Sequence, residues 1–504
     1  VFRQPKYFKY KEDELDNSPE SNHRELLVKI ARRAMLERGL AADFPAQVIR
    51  EVSAVKEPLP DTTPPVRGLQ GLPWCSIDND SSEDLDQLTA AEAQKDGSVK
   101  IFVAIADVDA IVNKHTAMDG FAGVNTLSVY TPAVIFPMLP EKLSTDLTSL
   151  KFDSERAAVI MEMTVDTTGE IIAGDVYRAV VKNKAKLAYN RTAAWLDSGA
   201  PAPHEVSSVK GLEENLRLQA QTAKLMKGLR QKNGSLSLDT FETTPVFEGN
   251  EVRAIVAEVQ NTAKDIIQDF MIGANGTSAR FLEKKKFPSI RRVVHKPKNW
   301  GRIIELAGAR GYSLPADPDA VSLENFLKEQ KSKDPEHFQD LSLSVIKLLG
   351  PGEYCMQAPG AASDGHFSLA VKDYTHSTAP NRRYSDLLTQ RLLKAAMTGE
   401  AVPYKNEELA AFAARCTQKE DDAKKVERQL DKSVAALLLA PMAGMEFDSI
   451  VTGASDKGTW VRITAPHAEG RLISGTTGFK VGDHARVKLV RTDVEKGFID
   501  FERI

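Results

Sequence analysis

The chain has little cysteine, and what it has is scattered. Cys75, Cys355 and Cys416 are the only three in 504 residues, and they lack any zinc-ligand spacing. That excludes a disulfide framework and points to a reducing compartment. Long hydrophobic runs are missing too. The most apolar late stretch, Val434 to Met445, contains Pro441 and falls short of the ~20 residues that cross a bilayer. The start, VFRQPKYFKYKEDELD, is charged and has no apolar core of a secretion signal. A cytoplasmic protein with no membrane contact is expected. Nor does one sign of charge dominate: 66 Lys and Arg face 70 Asp and Glu, a net charge of −4. Bulk attraction to nucleic acid is therefore excluded, and any such affinity must come from local basic surface.

What is present is the composition of a globular protein, 42% hydrophobic and 27% charged. At about 150 residues per domain the length suggests about three domains. The most informative stretch is SIDNDSSEDLDQL, residues 76 to 88. It follows an apolar approach, LPWCSI, with the content of a buried strand. Asp84 and Asp86 are two apart, so an extended chain points both the same way. The turn-forming residues 79 to 83 can fold back and bring Asp78 beside them. Converging carboxylates repel unless a hard cation joins them, and Mg²⁺ or Mn²⁺ with oxygen ligands meets that demand. Such a cation serves phosphodiester hydrolysis. On the carboxylates alone, a solvated acidic turn is the preferred reading.

A second stretch lies far downstream. Residues 374 to 393 read YTHSTAPNRRYSDLLTQRLL, a polar loop leading into a helix with an apolar stripe of Leu387, Leu388 and Leu392. Arg382 and Arg383 fall where that helix begins, where guanidinium groups and free amides can hold a phosphate. Alone, they would read as a surface pair.

Together the two stretches resemble the signature segments of the ribonuclease II (RNB) family of 3′-to-5′ exoribonucleases. The family pattern is roughly I-D-x5-D-x-D-D in the first and Y-T-H-F-T-S-P-I-R-R-Y-x-D-L in the second. VAIADVDAIV, VYTPAVIFPMLPEKLSTDLTSL and GHFSLAVKDYTH also look like family segments, so the resemblance spans roughly residues 66 to 397. It implies an α+β catalytic domain with a sheet core and surrounding helices. It also implies Mg²⁺-dependent hydrolysis (Mn²⁺ substituting) of single-stranded RNA from its 3′ end to nucleoside 5′-monophosphates, leaving a short limit oligonucleotide. By residue, Asp78, Asp84 and Asp86 hold metal, and Arg382 and Arg383 contact phosphate. Tyr130 and Tyr189 align with aromatics that grip bases, although a buried tyrosine ordinarily anchors packing. A monomer is the default, and protein partners are not indicated. One departure stands out: where the family has its last aspartate, this chain has Gln87. An RNA-binding protein of the same fold with weakened catalysis is therefore the alternative, with Asp80 or Glu83 able to compensate.

Three regions are expected. Residues 1–65 comprise a polar start, two helices within 23 to 55 and a Pro-rich linker. The helices form a helix-turn-helix or, as preferred, brace the catalytic domain. Many relatives carry two cold-shock barrels ahead of the catalytic region; here some 60 residues precede it, without a run of short strands. Residues 66–440 form the catalytic domain, with helices at 205 to 231, 262 to 286, 298 to 310, 321 to 349 and a connecting one at 405 to 440. Asp107 and Asp109 read as satisfied core or turn aspartates. The basic run from Arg280 to Arg302 is either a solvated face or an RNA track. Residues 444–504 show short strands at near-regular spacing, and resemble an S1 RNA-binding domain, an OB-type β barrel. Trp460 and Phe479 are candidates there for either stacking or core packing.

Overall fold

The computed structural model describes residues 22–56, 66–239, 243–335, 337–455 and 458–504. The polar start and most of the Pro-rich linker lie outside them. Helices α1 (His23–Glu37) and α2 (Ala46–Ala54) come first, followed by a two-residue strand β1 (Arg67–Gly68). Strands β2 (Cys75–Asp78), β3 (Gln87–Ala93) and β4 (Val99–Ala106) lead to α3 (Ala117–Asn125) and a small hairpin, β5 (Val129–Tyr130) and β6 (Ile135–Phe136). Long β7 (Glu155–Val165) and β8 (Ile171–Lys182) and short β9 (Ala185–Ala188) complete a seven-stranded sheet in the order β1-β8-β7-β4-β3-β2-β9. The run IFVAIA of β4 is buried on both faces because it lies mid-sheet with helices packed on it.

Helices α4 (Tyr189–Ser198), α5 (His204–Ser207), α6 (Leu212–Lys232) and α7 (Thr262–Lys284) follow, with the hairpin β10 (Thr243–Glu248) and β11 (Glu251–Ala257) before α7. Then come β12 (Ser289–Val293), α8 (Trp300–Gly308), α9 (Ala320–Lys333), α10 (Phe338–Leu349), β13 (Glu353–Gln357), α11 (Tyr384–Thr398) and α12 (Asn406–Leu439). Two expected helices are each broken. The one at 205 to 231 is interrupted by Gly211, whose φ of +79° starts α6 afresh. The one at 321 to 349 stops at Asp334, because Pro335 disfavours a helical residue before it.

Strands β14 (Glu446–Ser455), β15 (Gly458–Thr464), β16 (His467–Ser474), β17 (His484–Asp493) and β18 (Phe498–Arg503) close a barrel in the order β14-β15-β16-β18-β17. The first two helices act as braces: α1 buries Leu27, Ile30 and Ala34 against Val426 and Leu430 of α12, whereas α2 packs Val48 and Val52 into the sheet core.

The expected leucine stripe of α11 is fully buried, and so is most of its polar face. A helix sunk in the protein on every side is stable only if its polar groups find partners. They do. Gln390 donates to Ala106 C=O at 2.8 Å and accepts from Asp109 N–H at 3.0 Å, closing the end of β4. Arg391 bonds Asp109 at 2.8 Å, Asp119 at 2.7 Å and the Tyr404 hydroxyl at 2.8 Å. Asp107 binds Arg178 and Lys394, so both aspartates of the IADVD segment are satisfied core groups. Removing one partner of such a buried network leaves stranded charge, so Arg391→Met should lower stability by about 3–5 kcal/mol. Urea unfolding checks this; a shift within about 0.5 kcal/mol, typical of a neutral surface change, would show that the network does not hold α11 in place.

Candidate active site

The acidic stretch is shaped by short-range bonds. Asp78 ends β2, and its Oδ1 accepts from Asn79 N–H at 2.7 Å and from Ser82 Oγ at 2.9 Å, folding the chain back as the spacing implies. Residues 83 to 86 then run extended. Ser149 Oγ donates to Glu83 C=O at 2.7 Å and accepts from Leu85 N–H at 3.1 Å. Ala106 N–H reaches Asp86 C=O at 3.0 Å. The alternation sinks Leu85 in the core and turns Asp84 and Asp86 to the opposite side.

Three other elements converge there. In the parallel β2–β9 register Asp78 lies opposite Ala188, so Tyr189 begins α4 beside it. Residues 126 to 130 run alongside the downstream motif: Ser128 N–H donates to Arg382 C=O at 3.0 Å and Tyr384 N–H to Thr126 C=O at 2.8 Å. Tyr130 is thereby set beside Arg382, and its hydroxyl donates to Asp84 Oδ2 at 3.2 Å. Arg383 is the residue before α11, with extended backbone angles, and bonds Asp386 at 2.7 Å. Arg382 turns the other way and donates its Nε to Asp86 Oδ2 at 3.0 Å.

The result is a cavity of about 270 Å³ lined by Asp78, Asp84, Asp86, Tyr130, Tyr189 and Arg382. A second, of about 200 Å³, shares Tyr130 and Arg382 and adds Arg383, Tyr354, His376 and Glu427. Burial pushes the Asp86 carboxyl from 3.8 to about 6, against the pull of Arg382. Burial also raises Asp78, opposed by Asn79 N–H and Ser82. Burial works against the Arg382 charge, yet Asp86 more than offsets it and keeps the guanidinium protonated. Both tyrosine hydroxyls are raised by burial and stay protonated. Burial, followed by Arg383, holds His376 neutral, and Tyr354 Oη lies 2.8 Å from its Nδ1.

Asp86 Oδ1 is buried and has no hydrogen-bond partner among the described residues. A charged oxygen left in that state is costly, and a cation in the cavity would relieve it. The donor set is all oxygen, which suits Mg²⁺ or Mn²⁺. The carboxylates share one cavity but do not close on a point: among the described residues no three His, Cys, Asp or Glu side chains are grouped tightly enough to hold a metal ion. Asp80 is not drawn in, since it is exposed and paired with Arg191 at 3.3 Å, and Glu83 is likewise exposed. Gln87, first residue of β3, is 7% exposed and lines the same cavity.

The basic run from Arg280 to Arg302 is not one surface. Arg291 and Arg292 lie inward on β12, paired with Glu283, Asp373 and Glu420, whereas Lys284, Lys285, Lys286, Lys296 and Lys298 are exposed. In the barrel, Trp460 lies over Gly453, and Arg503 caps the ring of Phe479 at 4.6 Å. Sequence reasoning passed over Tyr354, His376 and Glu427. His376 was within reach, being the third residue of the YTH motif. Glu427, bonded to Tyr130 N–H at 3.1 Å, carries no local signal at all.

An α+β domain with an acidic cavity, joined to a closed five-stranded barrel, is the class that fold and site define. The model of the RNB domain matches residues 66–399, and that of the RNase II-type exonuclease C-terminal S1 domain matches residues 445–504. The chain belongs to the RNB family. It is 29% identical over 497 residues to a ribonuclease R of Aquifex aeolicus, covering 92% of this chain and 69% of that protein. It spans between 59% and 73% of the length of eight curated ribonucleases R. The fold is shared with Mycoplasma genitalium RNase R in complex with ribose methylated single-stranded RNA (TM-score 0.85, 23% identity, 95% of this chain and 78% of that one). It is shared also with yeast Ssd1, a pseudonuclease (TM-score 0.69, 16% identity, 92% and 57%). No helix of the described residues is long and apolar enough to cross a membrane.

The raised Asp86 carboxyl has a signed consequence. Its contribution to stability is fully present below pH 3.8 and is lost as pH rises through about 6. Relative to Asp86→Asn, the metal-free protein should therefore lose stability across that window, and Mg²⁺ or Mn²⁺ should restore it at pH 7. Thermal unfolding of both proteins against pH is the check, and parallel curves would show that Asp86 is not strained by burial.

Proposed function

We propose that the chain is a Mg²⁺-dependent hydrolytic 3′-to-5′ exoribonuclease acting on single-stranded RNA, releasing nucleoside 5′-monophosphates and leaving a short limit oligonucleotide. The observation that carries the reading is the Asp86–Arg382 bond. It joins residues 296 apart in one small cavity that also holds two further carboxylates and two tyrosines. Pure binding of RNA has no need to gather carboxylates against a phosphate-binding arginine.

Each group has a role that its surroundings allow. Asp78, Asp84 and Asp86 are the residues that would hold Mg²⁺ or Mn²⁺, with Asp86 the indispensable one. The bound cation supplies activation of water and charge neutralisation at the phosphate. Arg382, whose side chain is 43% exposed, gives only its Nε to Asp86. Its remaining donors are free to bind the scissile or adjacent phosphate and to stabilise charge in the transition state. Arg383, tied to Asp386, positions the loop and adds charge to the second cavity. Tyr130 and Tyr189 offer ring faces to the terminal bases, worth about 1–3 kcal/mol per stacked base for any sequence.

One observation favours a second reading, an RNA binder of the same fold with weakened chemistry. Gln87 brings a neutral oxygen where the family pattern has a charge, and fold likeness alone does not decide, since the fold is shared with a pseudonuclease. A 5′-labelled single-stranded RNA with Mg²⁺ separates the two. The expected result is a ladder descending from the 3′ end to one short product, absent in Asp86→Asn. Intact RNA that still shifts on a native gel would establish the binder, and equal digestion of a DNA of the same sequence would establish a less selective nuclease. Gln87→Asp should lower the Mg²⁺ concentration needed for half-maximal rate; an unchanged requirement would show that position 87 plays no part in metal affinity.

A further inference from the structure

Residues 148 to 150, Thr-Ser-Leu, put no side chain into the catalytic cavity, yet they are bonded to the acidic stretch, to the arginine loop and, through Asn183, to β2. Ser149 Oγ donates to Glu83 C=O and accepts from Leu85 N–H, and Leu150 N–H donates to Leu85 C=O at 2.9 Å. Leu85 lies between Asp84 and Asp86, so these bonds fix the backbone that aims both carboxylates. Leu150 C=O accepts at 2.9 Å from Asn183 Nδ2, which also donates at 3.1 Å to Ser76 Oγ, two residues before Asp78 on β2. On the other side, Thr148 Oγ1 lies 2.5 Å from the amide of Asn381, the residue before Arg382. Ser76, Thr148, Ser149, Leu150, Asn183 and Asn381 are each no more than 5% exposed.

The orientation of the Asn381 amide follows from counting protons. Thr148 Oγ1 also stands 2.9 Å from Leu143 C=O, and its single proton cannot serve two acceptors at once. Asn381 Nδ2, meanwhile, is buried with no partner among the described residues. Turning the amide over gives each of these protons one acceptor: Nδ2 donates to Thr148 Oγ1, and Thr148 donates to Leu143 C=O. Asn381 stands where the family pattern has isoleucine, so this polar tie to the arginine loop departs from that pattern.

We propose that Thr148 and Ser149 are positioning residues, buried hydroxyls outside the cavity that set the carboxylates and Arg382 at the spacing that a divalent cation and a phosphate require. The inference rests on the reading of the cavity as a metal-dependent phosphodiesterase site. Between the end of β2 at Asp78 and the start of β3 at Gln87 the acidic stretch belongs to no strand. Asp84 and Asp86 repel each other when no cation is bound. The Ser149 bonds oppose that repulsion directly, since they grip the backbone on either side of Asp84. Thr148 does the same for the arginine loop, through the residue that adjoins Arg382.

The test separates placement from mere packing, because loss of packing alone lowers stability without changing affinity for a cation. Mn²⁺ binding, read from the paramagnetic resonance of free Mn²⁺ without RNA, should weaken about tenfold in Ser149→Ala, as when a metal ligand loses its supporting partner. Thr148→Val should leave Mn²⁺ affinity unchanged but lower kcat/KM on a short RNA about tenfold or more, through misplacement of Arg382. Thr148→Ser, which keeps the hydroxyl, should restore it. Wild-type Mn²⁺ affinity in Ser149→Ala, or equal losses of kcat/KM in Thr148→Val and Thr148→Ser, overturns the inference. Thermal unfolding shows whether each variant is folded; should Ser149→Ala not fold, the two Thr148 variants decide. An unmodified protein that binds Mn²⁺ yet digests no RNA overturns instead the reading on which the inference rests.

Discussion

Gathering carboxylates out of water costs free energy, and the structure is organised around that cost. Asp86 keeps 3% of its side-chain exposure, and among the described residues its only charged hydrogen-bond partner is Arg382. The arginine cannot reach it from nearby sequence. It arrives on a loop anchored from several sides: Ser377 bonds Asn275 of α7, Asp386 accepts from Ala379 N–H, and Arg382 C=O receives Ser128 N–H. The loop in turn depends on α11, which is held in the middle of the protein by its polar partners rather than by leucines alone. The guanidinium–carboxylate bond of the cavity is thus fixed by the sheet, by α7 and by α11 together.

That dependence gives the site two faces with different tasks. The β2–β3 connection supplies negative charge and is locked to the sheet by backbone bonds, so its carboxylates have little freedom to retreat from one another. The segment from Thr126 to Tyr130 and the start of α11 supply the cation and an aromatic ring. Tyr130 belongs to both, through its hydroxyl on Asp84 and its amide on Glu427. The side chain cannot swing away without loosening its bond to Asp84, while the backbone beneath it stays tied to Glu427.

Local chemistry is what could be read in the sequence. The two-residue spacing of Asp84 and Asp86, the turn after Asp78, the start of α11 and the barrel strands each depend on neighbours a few residues away. The β2–β9 register that seats Tyr189, and the Glu427–Tyr130 bond, follow from packing between distant elements and leave no local trace. The basic run shows the difference. Periodicity reads Arg280 to Arg302 as one charged stretch, but β12 passes through its middle and carries Arg291 and Arg292 inward to meet Glu283, Asp373 and Glu420. The breaks in two helices do have a local signal, since Gly211 and Pro335 stand at them.

Gln87 takes its meaning from the same electrostatic constraint. The Asp86 carboxyl already sits at about 6, because burial outweighs the help of Arg382. A further carboxylate on the adjacent residue, itself 7% exposed and facing the same cavity, would add like charge beside Asp86, whose guanidinium partner Arg382 is already engaged. Without a cation, glutamine therefore relieves the site. With one, it offers an oxygen but no charge, so the attraction for a divalent ion is weaker by one unit of charge at short range. The substitution would thus lower cation affinity while sparing the site a further buried charge. It removes neither the arginine nor the three aspartates on which phosphoryl chemistry would rest.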